Sequence, residues 1–304
     1  MKINYINSND VKLLVKTSVP ENLEEKPETL LFLHGYPDNH KTWSHQIESF
    51  KDNYRIIVFD IRGCGGSTPP PSRKGYHIDH LMQDVDNVLN VFLEKDEKVH
   101  LVGHDWGAII FWSYISIPSY AKRVASFTAI CGPHPTLALK NLYDNIKSFD
   151  PFNLFATIDQ LAKSWYVAFL QIPRIPEFLL YSSPEMMWNI LFSQSGLPES
   201  DDIRHFSREE ILSTSVGPIN LYRELIQGGL PPLPEEPIAV PITVIGAEKD
   251  LAITKLAYEN IDKIARQVDI RYIDANHWIH REKSADVNKL ISIFLKRIAL
   301  RKNT

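Results

Sequence analysis

The sequence predicts an α/β protein, with a mostly parallel central sheet, flanking helices and an inserted helical segment. Three observations predict it. Short apolar runs alternate with helix-patterned stretches up to residue 132 and again from residue 238, the rhythm of a parallel sheet covered on both faces. Between them, residues 133–237 are helical in pattern and rich in aromatics, without a clear strand. Finally, Gly103-His104-Asp105-Trp106-Gly107 sets two glycines around a carboxylate between an apolar run and a helical one, the mark of a tight strand-to-helix turn.

The elements follow in order. Lys2–Ile6 and Val11–Thr17 flank Asn7-Ser8-Asn9-Asp10, a hairpin signal. Thr29–Leu33 is continuously apolar, as a buried parallel strand is, and runs into His34-Gly35-Tyr36-Pro37. Trp43–Phe50 reads as helix, and Tyr54–Phe59 as a strand ending in the glycine-rich turn Asp60–Ser67. Ile78–Leu93 places Leu81, Val85, Val88, Leu89 and Phe92 at helical spacing. Lys98–Val102 is the strand before Gly103, Ala108–Tyr114 the helix after Gly107, and Val124–Cys131 a further strand. The insert carries Trp165, Tyr166, Phe169, Trp188 and Phe192, and closes on the stiff connector Leu230–Pro237. A strand at Ile242–Gly246, a helix near Leu256–Gln267 and a strand at Asp269–Ile273 follow. The last helix has Val287, Leu290, Ile291 and Phe294 on one face. Residues 1–132 and 238–304 are thus expected to form the core and residues 133–237 a helical cap.

Composition narrows the function. A chain of 304 residues accommodates one large α/β domain with an insertion. A net charge of −4 without a basic stripe argues against nucleic acid. No run approaches the ~18–20 apolar residues of a membrane span, and Met1–Val15 lacks the apolar stretch of a secretory leader. Cys64 and Cys131 are too few for a disulfide framework and read as free thiols. A cytoplasmic enzyme is expected; nothing bears on oligomeric state.

Asp105 is the candidate nucleophile. A carboxylate at this turn suits attack on a strained or activated sp3 carbon, leaving an enzyme ester. His277, just after the last strand, suits the base that activates water against that ester. Asp250, in the loop after Ile242–Gly246, would orient His277. The other natural place for an acid, after Val124–Cys131, holds Gly132-Pro133-His134-Pro135 and no carboxylate. The backbone N–H groups of Tyr36 and Trp106 would form an oxyanion hole. Tyr166 and Tyr222, both in the cap, could donate hydrogen bonds to an epoxide oxygen. His34, Pro37, Trp165, Phe169 and Trp278 are candidates for the pocket wall. His104 reads as structural, and His280 as an exposed residue.

With these motifs in view, the chain resembles the epoxide hydrolases of the α/β-hydrolase fold over nearly its whole length. The resemblance rests on His34–Pro37, Arg62–Ser67, Gly103–Gly107, Trp165–Pro173, Asn220–Arg223, Asp250 and His277-Trp278. It implies that Asp105 opens an apolar epoxide whose oxygen Tyr166 and Tyr222 hold. His277, backed by Asp250, then drives water onto the ester to give a vicinal diol, with no metal or organic cofactor. His34–His40 and Arg123–Thr128 are also similar to the hydrolase half of bacterial proteins fused to a short-chain dehydrogenase. With the sequence ending at Thr304, that second half is not expected, and lipid-like epoxides are a substrate class by the same analogy. Haloalkane dehalogenases share the aspartate and the following tryptophan, but commonly carry asparagine where this chain has Tyr36. A non-catalytic binding scaffold is the remaining alternative, and the intact Asp105, Asp250 and His277 set argues against it.

Overall fold

Eight strands form a single sheet in the computed structural model, which describes residues 1–21 and 26–302. The strands are β1 (Lys2–Ser8), β2 (Val11–Ser18), β3 (Thr29–Leu33), β4 (Arg55–Phe59), β5 (Val99–His104), β6 (Val124–Ile130), β7 (Ile242–Ala247) and β8 (Val268–Ile273). Their spatial order is β1-β2-β4-β3-β5-β6-β7-β8. β2 runs antiparallel to β1 and β4; every other pairing is parallel. β3 and β5 are buried along their whole lengths, as their unbroken apolar runs require of strands covered on both faces.

Helices α1 (Ser44–Phe50), α2 (Ile78–Phe92), α3 (Trp106–Ile115) and α4 (Pro118–Ala121) lie among β3 to β6. Between β6 and β7 stand α5 (Pro135–Ser148), α6 (Pro151–Lys163), α7 (Trp165–Leu170), α8 (Ile175–Ser182), α9 (Pro184–Ser193), α10 (Arg208–Ser215) and α11 (Ile219–Gln227). No strand interrupts them among the described residues. The short α12 (Ile279–Glu282) and the long α13 (Ser284–Lys302) close the chain. The apolar core divides across the sheet. One cluster joins Leu31, Val85, Leu101, Trp112 and Phe127, the other Phe32, Trp43, Val102, Ile245 and Ile291. Alternate residues of β3 and β5 enter opposite clusters, as a period of two dictates.

One expected helix is absent. Residues 256–267 form two separate 3-10 turns, Lys255–Tyr258 and Ile261–Lys263, with Asn260 left-handed between them at φ 57°. Asn141 of α5 donates to the carbonyls of Leu256, at 3.1 Å, and Glu259, at 2.7 Å. It takes the acceptors that a continuous helix would use for its own N–H groups.

Strand order places the functional end of the sheet. From β3 the chain crosses to β4 on one side and returns to β5 on the other. The loops leaving β3 and β5 therefore part at adjacent carboxyl ends, where α/β sheets bind ligands.

Candidate active site

Asp105 lies between β5 and α3 with φ 50° and ψ −116°, a sparsely populated conformation for a residue with a side chain, which costs on the order of 1–3 kcal/mol. The two glycines allow the turn. A Cβ on Gly107 would sit 2.0 Å from the Leu33 carbonyl oxygen of β3, and one on Gly103 2.6 Å from the Ala108 nitrogen of α3. The neighbouring strand and helix can thus close around Asp105 and aim its carboxylate into the crevice.

Three loops converge on that carboxylate. The Tyr36 N–H, after β3, donates to Asp105 Oδ1 at 2.8 Å. Of the expected oxyanion pair, Tyr36 is therefore engaged; the Trp106 N–H, at the first residue of α3, makes no bond to the carboxylate. His277, after β8, places Nε2 3.6 Å from Asp105 Oδ2. Its Nδ1 faces Asp250, 2.9 Å from Oδ2 and 3.1 Å from Oδ1. Asp250 Oδ1 also accepts from the N–H groups of Ala252, at 2.8 Å, and Ile253, at 3.1 Å. All three side chains are buried.

Burial by itself would lower the His277 pKa, but the carboxylates of Asp250 and Asp105 together outweigh it and raise the pKa to about 10. Burial would raise that of Asp250. The His277 charge and the two N–H donors hold it below the ordinary value instead. The resting site therefore holds an imidazolium between the Asp250 and Asp105 carboxylates.

Tyr166, on α7, and Tyr222, on α11, meet edge to face above Asp105, with ring centroids 5.7 Å apart. Tyr222 also packs edge-on against Trp106 at 5.1 Å and Tyr36 at 5.3 Å. Burial and the charge of Asp105 push both phenols' pKa up, so both remain protonated donors. Two cavities meet at this point. One, of about 400 Å³, is bounded by Pro37, Trp165, Phe169 and Trp278; the other, of about 210 Å³, by Trp106, Leu139, Leu225 and Leu256. Asp105, Tyr166 and Tyr222 line both.

The pocket expectations divide. Pro37, Trp165, Phe169 and Trp278 are on the wall. His34 is not: its ring is fully buried, with Nε2 accepting from the Ile61 N–H at 3.0 Å and Nδ1 against the Gly35 carbonyl at 2.8 Å. It braces the loops after β3 and β4 instead. His280 is buried rather than exposed, because α12 turns it inward against Trp43, where its Nε2 meets Thr42 Oγ1 at 2.7 Å. There its ring lies tilted against that of His104, with centroids 4.2 Å apart, and His104 Nε2 meets the His277 carbonyl at 2.9 Å. His104 thus braces the backbone that carries His277. Asp38 adjoins this pair, its Oδ2 accepting from Trp278 Nε1 at 3.3 Å.

Asp38–His104–His280 and Cys131–Asp250–His277 each gather ligand-type atoms within 4.8 Å. In the second group the Asp250–His277 pair is already committed to itself. Cys64 and Cys131 are buried free thiols.

Several supports had no clear sequence signal. Gln160 of α6 donates to the Ala252 carbonyl at 2.8 Å and accepts from the Thr254 N–H at 2.7 Å, clamping the Asp250 loop to the helical insert. Arg223 bonds the carbonyls of Leu170 and Ile172 as well as Glu177, holding α11 against α7. The Tyr36 hydroxyl donates to the Ser215 carbonyl at 3.1 Å. Of these, Arg223 lies inside Asn220–Arg223 and Tyr36 inside His34–Pro37, both singled out by sequence, whereas Gln160 lies in no such stretch.

Comparison with known proteins agrees with this architecture. The alpha/beta hydrolase fold family matches residues 28–284. Human epoxide hydrolase 4 is 30% identical over 90% of this chain and 74% of its own length. The AB hydrolase superfamily protein YfhM of Bacillus subtilis is 29% identical over 97% of this chain and 98% of its own. The crystal structure of Bacillus megaterium epoxide hydrolase in complex with an inhibitor superposes with a TM-score of 0.78. It covers 96% of this chain and 100% of that one at 24% identity, a likeness of fold. The chain belongs to the α/β-hydrolase fold family and, within it, to the epoxide hydrolases.

Proposed function

We propose that this protein converts an apolar epoxide to a vicinal diol through an ester on Asp105, with residues 133–237 acting as the cap over the site. The observation that carries the reading is the Asp105 carboxylate facing two phenols, Tyr222 buried and Tyr166 half-buried, across an apolar cavity. Asp105 Oδ1 is held by the Tyr36 N–H, which leaves Oδ2 to attack an epoxide carbon. Tyr166 and Tyr222 donate to the ring oxygen as the carbon–oxygen bond breaks. The ester carbonyl then lies in the Tyr36 N–H, where the tetrahedral intermediate develops its charge. His277 takes a proton from water, the resulting hydroxide attacks the ester carbon, and Asp105 is released with the diol.

The proton balance closes on His277. The resting imidazolium makes good, through the phenols, the proton taken up by the alkoxide. Neutral His277 then regains a proton from the attacking water. The Cys64 and Cys131 thiols suit a reducing, cytoplasmic setting.

A dehalogenase reading has one observation in its favour. The buried indole N–H of Trp106 lies beside Asp105, next to the Tyr222 phenol, and could hold a halide. A second halide donor is missing on the Tyr36 side, where the side-chain hydroxyl is spent on Ser215.

The deciding experiment is His277→Gln with a small epoxide, followed by intact-protein and peptide mass spectrometry. An adduct of substrate mass on Asp105, together with diol formation by the wild-type protein, is expected. Absence of an adduct under single-turnover conditions, or halide release in place of diol on matched substrates, overturns the reading.

A further inference from the structure

Helices α5 and α6 form a hairpin whose outer face is apolar and uncovered. On α5, Leu139, Tyr143 and Ile146 recur at the i, i+4, i+7 spacing of one face, and all are exposed. On α6, Leu154, Ile158 and Leu161 do the same, and exposed Trp165 extends the line into α7. At and beside the turn between the helices, Phe149, Phe152 and Phe155 are 90%, 85% and 75% exposed. Three phenylalanines in that state leave ~500 Å² of aromatic surface in water. With the two stripes, the patch exceeds the ~300–600 Å² that is the largest on a typical monomer.

The charges on this hairpin are already spent within it. Residues 135–165 hold three lysines and three aspartates, for no net charge. Lys140 pairs with Asp144, and Lys163 with Asp159 at 3.5 Å. Asp150 caps α6 by accepting from the N–H groups of Phe152 and Asn153, and Lys147 lies 4.3 Å from the Tyr143 ring centre. The face therefore presents no unanswered charge, and an apolar, uncharged medium is its complement.

The ribbon ends at the site. Leu139 lines the smaller cavity and Trp165 the larger, and both are also exposed. A second copy seated on the ribbon would cover both rims, whereas a lipid phase would feed them.

We propose that this hairpin docks the enzyme on an uncharged lipid surface, with Phe149, Phe152 and Phe155 entering the acyl region. Apolar substrate then passes directly from lipid into the cavities at Leu139 and Trp165. The delivery step rests on the epoxide reading; the docking step does not.

The test uses the full chain and its F149S/F152S/F155S variant, floated with phosphatidylcholine vesicles. None of the three residues lines either cavity. The wild type is expected to float with the vesicles and the variant to partition on the order of a hundredfold more weakly or worse, given the apolar burial lost. The variant's turnover of a water-soluble epoxide should be unchanged, while its turnover of a long-chain epoxide held in vesicles should fall. Wild-type protein that stays in the aqueous fraction, or a variant that floats equally well, overturns docking. A dimer that the variant dissolves, without flotation, overturns it in favour of a second copy. Flotation by a protein that hydrolyses no epoxide upholds docking and overturns delivery alone.

Discussion

Replacing Asp105 with asparagine should release the proton held by His277. In the resting site the imidazolium lies 3.6 Å from Asp105 Oδ2 and 2.9 Å from Asp250 Oδ2. At an effective dielectric of ~20, a unit pair at the longer distance is worth about 4.6 kcal/mol, or about three pK units. The asparagine amide has the shape of the carboxylate without its charge, and an ester on Asp105, as proposed, would lack that charge too. The His277 pKa should therefore fall from about 10 to near 7 in Asp105→Asn. The assay is an NMR titration of the His277 imidazole in both proteins. A pKa within one unit of the wild-type value refutes the reasoning. If the fall is seen, forming the ester is itself what turns His277 into a base poised near neutral pH. Hydrolysis of the ester in single-turnover experiments should then rise with pH through the same value.

Other consequences are equally open to measurement. On the proposed mechanism, Tyr166→Phe and Tyr222→Phe each remove a donor to a developing alkoxide, worth ~1.5–3 kcal/mol, so each should slow ester formation by about 10- to 150-fold in stopped-flow experiments. An unchanged rate in the double variant would count against an epoxide substrate. Arg62 is fully buried and bonds Asp84 through Nε and Nη2, both at 2.7 Å, and the Gly75 carbonyl at 2.8 Å. Arg62→Ala should cost about 3–5 kcal/mol in urea unfolding by stranding Asp84, and a loss under 1 kcal/mol would show the pair to be dispensable.

Acid should destabilise the fold. Burial depresses His104 to about 3 and His134 to about 4, so each binds its proton more weakly when folded and costs about 2 kcal/mol as pH falls from 7 to 5, and burial lowers His280 too, which adds a cost of the same sign. Asp38, raised by burial to about 7, gains about 2 kcal/mol over the same range, and His277, also raised, about 1. A calorimetric Tm at pH 5 that equals or exceeds the value at pH 7 would refute this balance.

What could be read in the sequence was local. The Gly103–Gly107 turn is set by two backbone approaches within and beside five residues, and the buried strands by unbroken apolar runs. Asp250 followed from the lack of a carboxylate after β6. What could not be read depended on distant partners. The helix expected over 256–267 gives way to Asn141, more than a hundred residues earlier in the chain. His280 looked exposed because its motif says nothing about the pocket under Trp43. His34 sits in a loop beside the site, yet both ring nitrogens face inward. Gln160 resembles any polar residue of an amphipathic helix until the Asp250 loop is folded against it.

The division of labour between sheet and insert bears on how such a protein diversifies. Asp105, His277, Asp250 and the Tyr36 N–H hang from strand ends whose spacing is fixed by backbone pairing. The helices from α5 to α11 leave and rejoin the core between β6 and β7, which are neighbours in the sheet. A foreign insert could thus be spliced at that seam without altering the strand order. Yet Tyr166 and Tyr222 travel with the insert, and recombination would exchange them together with the pocket walls. Shuffled descendants should therefore keep the power to form an ester more readily than the power to choose epoxides, and a library of insert chimaeras would separate the two inheritances.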